Sequence, residues 1–192
     1  MNKRKPSESI AAKTALGAMA TALSVVLLIP TALDLLYIAL PAAAGIIVLF
    51  CVIELSKGWA FGVYAATSLI SVLVVPNKEA VVLYILFFGY YPILKGLIEG
   101  KIKNRVLEYV IKVLIFNVAV FSAEFVFFKI MNIPLTEFLD VEEGSLLSKY
   151  ILPILFAIAN VMFFFLDYLY TASATLYISR WQKVFRKTFR LK

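Results

Sequence analysis

Histidine is absent from the 192-residue sequence, and cysteine occurs only once, as Cys51. Without histidine the chain lacks the commonest near-neutral general base, any Ser-His-Asp arrangement and any His-based zinc site. One cysteine excludes a disulfide within the chain and a paired-thiol redox or metal site. Glycine loops that bind phosphate and nucleophile motifs are missing as well. We therefore expect no enzyme activity, no metal and no cofactor.

Charge is also scarce, while apolar residues are abundant. Charged residues make up 16% of the chain and hydrophobic residues 62%, and the mean hydropathy is +0.92. A soluble domain of this size cannot bury so much apolar surface, so lipid must surround most of the chain. The net charge of +7 falls in short clusters between apolar runs rather than on one polar face. This pattern argues against nucleic acid as a partner.

Six apolar runs approach or exceed the roughly 20 residues that a helix needs to cross a bilayer. The sequence therefore predicts an all-α integral membrane bundle that forms a single transmembrane domain over residues 1–192. The predicted spans lie at about 9–29, 35–53, 59–75, 80–97, 106–130 and 150–179. The last span is longer than a bilayer requires, so we expect it to tilt or to continue as a helix into water.

Lysine and arginine are distributed unequally between the two ends of the predicted spans. The first residues, the loops after spans two and four and the tail after residue 179 hold most of them, against Lys78, Lys129 and Lys149 at the opposite ends. The positive-inside rule then places both termini in the cytoplasm. The acidic stretch 132–149 is predicted to lie outside.

The first span carries a stripe of small residues. Ala11, Ala15, Ala18 and Ala22 are spaced four, three and four residues apart, so they share one helix face. Small side chains allow another helix to approach closely in lipid. Two interpretations remain open, namely packing within the chain and a docking face for a partner subunit.

Spans five and six each contain polar residues deep in an apolar run. Asn117 and Glu124 are seven residues apart on span five, as are Asn160 and Asp167 on span six, so each pair shares a face. When residues are counted inward from the outer ends of the two spans, Glu124 reaches the depth of Asn160, and Asn117 approaches the depth of Asp167. The sequence therefore predicts a line of facing polar residues, a polar seam, between the two helices. A carboxylate that faces lipid at mid-helix costs at least about 2.5 kcal/mol, so we expect both to face inward. They either bind a ligand or tie the two helices together.

A charged turn, Asn77-Lys78-Glu79, precedes the aromatic span four at its predicted outer end. Such a turn is ordinarily solvated, and aromatics beside it often form an interfacial belt. Aromatic walls with a few polar anchors are also typical of small-molecule pockets. The second interpretation predicts a substrate site in the outer half, formed by Asn77, Lys78, Glu79, Tyr84, Phe88, Asn117, Glu124 and Asn160.

The whole chain resembles an S component, the substrate-binding membrane subunit of an energy-coupling factor (ECF) transporter. The resemblance rests on the length, the six spans, the cytoplasmic ends and the alanine stripe. More locally, AAKTALGAMATALSVVLL, VPNKEAVVLYILFFGYYPILKGLIEGKIKNRVLEYVIKVLIFN and the Asn160-to-Asp167 helix look like a subfamily from Gram-positive bacteria. Signatures typical of the riboflavin, thiamin or biotin members are not found at matching positions.

The resemblance implies a function in the bacterial plasma membrane. The alanine stripe would dock on a transmembrane coupling subunit, two ABC ATPases would supply the work, and a vitamin-like micronutrient would bind near the outer face. The chain itself would not hydrolyse ATP. Lys78, Glu79 and Glu124 favour a polar substrate, zwitterionic or cationic, because buried charges are tolerated best when a ligand or a neighbour pairs them. Pairing of Lys78 with Glu79 or with the acidic outer stretch would explain these charges equally well.

Two rival hypotheses make different use of the same residues. A membrane scaffold or cell-shape protein would use the polar seam only to hold helices, and its basic tail would bind lipid headgroups or a cytoplasmic partner. A membrane-embedded enzyme would use Glu124 and Asp167 as acid and base. That second rival is weakened by the separation in depth between the two carboxylates and by the lack of a metal-ligand cluster.

Overall fold

A computed structural model describes residues 10–32, 36, 38–127 and 146–188. Within these ranges every element of secondary structure is a helix, which confirms the predicted all-α fold. In this part of the chain, five continuous helical stretches are long and apolar enough to cross a membrane, and a sixth apolar helix, Ala39–Glu54, has 16 residues. The chain is therefore a multi-pass membrane protein. Residues 128–130 of predicted span five and 132–145 of the predicted outer stretch lie outside the described residues.

We number the helices in chain order. They are α1 (Ile10–Leu28), α2 (Ala39–Glu54), α3 (Lys57–Val74), α4 (Lys78–Leu83), α5 (Tyr91–Lys101), α6 (Arg105–Phe125), α7 (Leu146–Leu176) and α8 (Gln182–Thr188). A 3-10 turn, Ile29–Ala32, follows α1. Two π-helical turns, Tyr84–Phe88 and Tyr177–Trp181, join α4 to α5 and α7 to α8.

Polar residues and one proline set several helix starts. Ser56, Asn77 and Asn104 cap α3, α4 and α6, and each accepts a hydrogen bond from a backbone N–H of the first turn. Span two was predicted to begin at residue 35, but α2 begins at Ala39. This start places Pro41 in the first helical turn, where the missing N–H removes no hydrogen bond.

The last span also differs from its predicted bounds of 150–179. The helix begins at Leu146 and continues through the second π turn into α8, which ends at Thr188. The predicted continuation of this helix beyond the bilayer length is thus present as helical structure. Its start four residues before the predicted one matters for the contacts of α6 and α7.

The helices form two compact units. The first contains α1 to α4, the first π turn, most of α5 and the chain from Tyr170 onward. In it, α1 packs against both α2 and α3. Its core cluster consists of Val48, Cys51, Leu55, Ala60, Val63 and Ile93. The second unit contains α6 and the part of α7 up to Leu169.

Both units leave large apolar side chains exposed, as a lipid environment requires. Leu73 on α3 is 83% exposed, Val118 on α6 65% and Val161 on α7 70%. Monomeric soluble proteins rarely expose contiguous apolar surface of this kind. These faces are suited to contact hydrocarbon, where the helices satisfy their own backbone hydrogen bonds.

Candidate functional site

The alanine stripe of α1 lies on an exposed face. Ala11, Ala15, Ala18 and Ala22 are all exposed. The residues that α1 buries belong to a different stripe, which consists of Gly17, Thr21, Ser24, Val25 and Leu28. Packing of α1 inside the first unit therefore uses this second stripe, and the four alanines remain exposed.

A shallow groove of about 730 Å³ runs between α1 and α3 beside this alanine face. Ala18 and Ala22 lie on its α1 wall, and Gly62 and Ala66 lie on its α3 wall. The groove is apolar and mostly lined by small side chains. It is a surface on which an apolar helix could approach closely.

The predicted outer turn of span four is built into the connection between α3 and α4. The Asn77 side chain accepts a hydrogen bond from Ala80 N (2.9 Å) and donates one to Thr31 O (3.0 Å). Lys78 Nζ donates to the carbonyls of Val72 and Val75, at 2.7 and 2.8 Å, and so satisfies acceptors at the end of α3. Both side chains therefore have structural partners.

Glu79 differs from its two neighbours in this turn. It is half-buried, and no hydrogen bond or ion pair links its carboxylate to another described residue. It lies in the first turn of α4, where a negative charge interacts favourably with the helix dipole. Of the three predicted anchors in the turn, Glu79 alone keeps its acceptors available within the described ranges.

Tyr84 and Phe88 belong to the first π turn and lie in the interior of the first unit. Tyr84 is fully buried, Phe88 is 5% exposed, and neither ring lines an open surface. The Tyr84 ring packs against Tyr64, with 6.1 Å between centroids. A π turn inserts one extra residue into the helix, and such insertions often occur at functional sites.

Buried hydroxyls also occur in the first unit and were not anticipated from the sequence. Within the described part of the chain, no hydrogen-bond partner is found for the side-chain oxygens of Ser24 and Ser71, whereas the Thr67 hydroxyl lies near that of Tyr84. Thr67 and Ser71 share one face of α3, four residues apart. Unpartnered buried hydroxyls call for a water molecule or a polar ligand group.

In the second unit, Asn117 and Asn160 form a reciprocal amide pair. Asn117 Nδ2 donates to Asn160 Oδ1 at 3.2 Å, and Asn160 Nδ2 donates to Asn117 Oδ1 at 3.1 Å. Each amide also donates to the carbonyl four residues earlier, Val113 O or Phe156 O, at 2.8 Å. The predicted polar seam between these helices is therefore present.

The predicted register of the seam is wrong. Asn160 pairs with Asn117 rather than lying level with Glu124, and Asp167 lies beside Lys112. The difference is seven residues along α6, or about two helical turns. Part of it arises because α7 begins at Leu146, four residues before the predicted start of span six. Glu124 is half-buried and has no hydrogen bond or ion pair with a described residue.

A buried charged site among the described residues of the second unit was missed from the sequence. Lys112 is 1% exposed, and its Nζ lies 2.7 Å from Glu99 Oε1, 2.6 Å from Glu108 Oε1 and 3.5 Å from Asp167 Oδ2. We call these four residues the Lys112 centre. The available signal was Glu108 and Lys112, an i,i+4 pair of opposite charge inside an otherwise apolar run. Asp167 therefore has an ion-pair partner, Lys112.

Among the described residues, no group of three or more His, Cys, Asp or Glu side chains is arranged to hold a metal ion. Comparison of the chain with models of protein families, with curated proteins and with solved structures found no match. The resemblance to S components therefore rests on the sequence features described above.

Proposed function

We propose that the chain is the substrate-binding S component of an ECF-type importer in a bacterial plasma membrane. It would capture a small vitamin-like molecule at the outer face. It would dock through α1 on a transmembrane coupling subunit that two ABC ATPases drive. The observation that carries this proposal is the exposed alanine face of α1.

The alanine face places four exposed small side chains on one helix, where exposed Met19 and Leu23 border it. Many exposed positions elsewhere carry large side chains, such as Leu73 on α3, Val118 on α6 and Val161 on α7. In lipid, small side chains allow a helix of another protein to approach the backbone and gain van der Waals contact. The neighbouring groove adds Gly62 and Ala66 to the same small-residue surface. A docked coupling helix would thus contact both α1 and α3.

Substrate binding would depend on side chains whose hydrogen-bonding groups are not already bonded to the protein. Asn77, Lys78, Asn117 and Asn160 all bond to protein groups. Glu79 in the first unit makes no such bond within the described ranges, and neither does Glu124 in the second. An unpaired carboxylate of this kind favours a substrate that carries a cationic group, either alone or in a zwitterion.

The docking part of the proposal is tested by adding bulk to the alanine face. We would purify the tagged chain from its native membrane as wild type, as Ala15→Trp and as Ala18→Trp. Ala157→Trp is the matched control, because Ala157 is an exposed alanine on α7. The proposal predicts that the coupling subunit and the ATPases copurify with the wild type and the control and are lost from the two stripe variants. Equal recovery from all four proteins would contradict it.

A membrane scaffold is the second candidate function, and the saturated polar groups of the second unit favour it. The Asn117–Asn160 pair and the Lys112 centre bond to protein groups, as ties between helices would. A scaffold would copurify with envelope-assembly proteins and would retain no small molecule. Its basic tail would act as an attachment to lipid or to a cytoplasmic protein.

A further inference from the structure

The C-terminal helix of the first unit is fixed to the end of α2 by a buried carboxylate. The Glu54 side chain is 4% exposed and accepts hydrogen bonds from Arg186 Nε (3.0 Å) and Gln182 Nε2 (2.9 Å). A charged hydrogen bond of this geometry is among the stronger ones in proteins. The second π turn and α8 therefore have a defined inner face toward α2, to which Gln182, Arg186 and Tyr177 belong.

The outward side of this segment divides into a basic part and an apolar part. Arg180, Lys183 and Lys187 are exposed, and no described residue pairs with their charges. Trp181 and Val184 are 66% and 60% exposed. The last 13 residues of the sequence contain six Lys or Arg and no Asp or Glu. A helix with adjacent basic and aromatic faces is typical of a membrane interface.

The apolar part lines a groove on the first unit. This groove has a volume of about 620 Å³, and its walls include Phe50 of α2 together with Tyr177, Trp181 and Phe185. Its walls are held in place by ring packing, because Tyr177 stacks on Phe50 with 4.6 Å between centroids and contacts Phe185 edge-on at 6.2 Å. The groove thus lies along the same segment that carries the three unpaired cations.

We propose that this surface is a binding site for an anionic phospholipid of the adjacent leaflet. Arg180, Lys183 and Lys187 bind the phosphate and other anionic groups of the head, and an acyl chain lies in the groove beside Phe50 and Trp181. The proposal does not depend on the transport function. Its basis is the juxtaposition of unpaired cations with an apolar groove on a segment that Glu54 holds in place.

Charge complementarity favours an anionic lipid over the other possible occupants. A second copy of this chain would bring the same basic surface against itself, which like charges disfavour. A zwitterionic lipid would fill the groove but would leave the three cations without a net opposite charge. Each basic side chain near an anionic membrane surface contributes an attraction of about 1 kcal/mol, roughly a fivefold effect on binding.

The test uses Trp181 as a local reporter. The full chain with Trp59→Phe retains Trp181 as its sole tryptophan, since the sequence contains two. We would reconstitute it in vesicles of equal parts phosphatidylglycerol and phosphatidylcholine, with bromine on the acyl chains of one lipid or of the other. Bromine quenches only a neighbouring tryptophan, so the ratio of the two quenching levels reports which lipid occupies the groove.

We expect brominated phosphatidylglycerol to quench Trp181 more strongly than brominated phosphatidylcholine. The change Arg180→Gln, Lys183→Gln and Lys187→Gln should reduce this preference at least about fivefold, the effect of one basic side chain. The control removes three other exposed charges, as Lys101→Gln, Lys103→Gln and Arg105→Gln, and should keep the preference.

Three results would overturn the proposal. Equal quenching by the two lipids in the wild-type background would mean that the site does not select an anionic head. Negligible quenching by both would mean that protein, a second copy or a partner, covers the groove. An equal loss of preference in the control variant would assign it to the overall charge of the chain rather than to this site.

Discussion

Asn117 and Asn160 each donate a side-chain amide hydrogen to the other, at 3.2 and 3.1 Å, and thereby align α6 with α7. The second amide N–H of each residue bonds to the carbonyl four residues earlier. All four amide N–H groups of the pair therefore have acceptors. An internally satisfied pair of this kind specifies the register of two helices without requiring a ligand.

This pairing makes a double-mutant prediction. Asn160→Leu leaves one N–H and the oxygen of Asn117 without their partner, and we expect it to lower the free energy of unfolding by about 1 kcal/mol. The combined Asn117→Leu and Asn160→Leu protein should lose less than the sum of the two single changes, because no amide is left unpaired. Unfolding of the purified proteins in mixed micelles measures this coupling. Strict additivity would mean that the two amides act independently.

Substitution in the Lys112 centre should lower the stability of the protein more than substitution of an exposed lysine. Lys112→Met removes the cation that Glu99, Glu108 and Asp167 share, and breaking a buried ion pair in this way costs about 3 to 5 kcal/mol. Lys101→Met removes an exposed lysine of the adjoining loop and should change stability by less than about 0.5 kcal/mol. Thermal denaturation of the two variants in detergent compares them. Similar melting temperatures would show that the centre contributes little to stability.

Gly45 is predicted to be required for the packing of α2. A Cβ atom at this position would lie 2.5 Å from the carbonyl oxygen of Phe88 and would also meet the Tyr170 hydroxyl. That hydroxyl donates to Ala42 O, so Gly45→Ala should disturb this hydrogen bond as well. Overpacking of this kind costs about 1 to 3 kcal/mol.

Gly58→Ala is the control for this substitution, because a Cβ at Gly58 meets nothing within 4 Å. Thermal unfolding of Gly45→Ala and Gly58→Ala under the same conditions decides the point. The packing argument fails if the alanine at position 45 is as well tolerated as the alanine at position 58.

The attachment of α8 to α2 should depend on the charge of Glu54. Glu54→Gln keeps the shape of the side chain but removes the anion that Arg186 contacts at 3.0 Å. We expect the segment to open more often, because one charge-assisted hydrogen bond is lost. Faster tryptic cleavage after Lys183 or Arg186, compared with wild type and with a Glu79→Gln control, would reveal it. Unchanged cleavage would show that the aromatic contacts of Tyr177 and Phe185 suffice.

The sequence predicts the helices well and their mutual register poorly. Long apolar runs determine the all-α fold, and residues such as Ser56 and Asn104 mark helix starts through local hydrogen bonds. Register depends on contacts between distant residues, such as Lys112 with Asp167, and helical periodicity specifies a face but not a depth. Periodicity therefore places Asn117 and Glu124 on one face of α6. The depth predicted for this face relative to α7 differs from the observed one by about two turns, because Asn117 rather than Glu124 lies level with Asn160.

The candidate site shows the same limit at the level of single side chains. Asn77 and Lys78 are polar residues at a span end, which the sequence alone cannot distinguish from ligand anchors. Their bonds to Thr31 O and Val75 O become visible only when α1, α3 and α4 are packed together. The buried hydroxyls of Thr67 and Ser71 went unnoticed for a related reason, since serine and threonine are common in membrane helices and their burial depends on tertiary packing.

We propose that this chain binds a substrate for an ATP-driven importer. The most direct test of this proposal is purification of the tagged wild-type chain from its native membrane, followed by mass spectrometry of the bound proteins and of the small molecules released on denaturation. We expect one transmembrane coupling subunit, two ABC ATPases and a cationic or zwitterionic metabolite. Recovery of envelope-assembly proteins alone, with no ATPase and no small molecule, would contradict it and favour the scaffold.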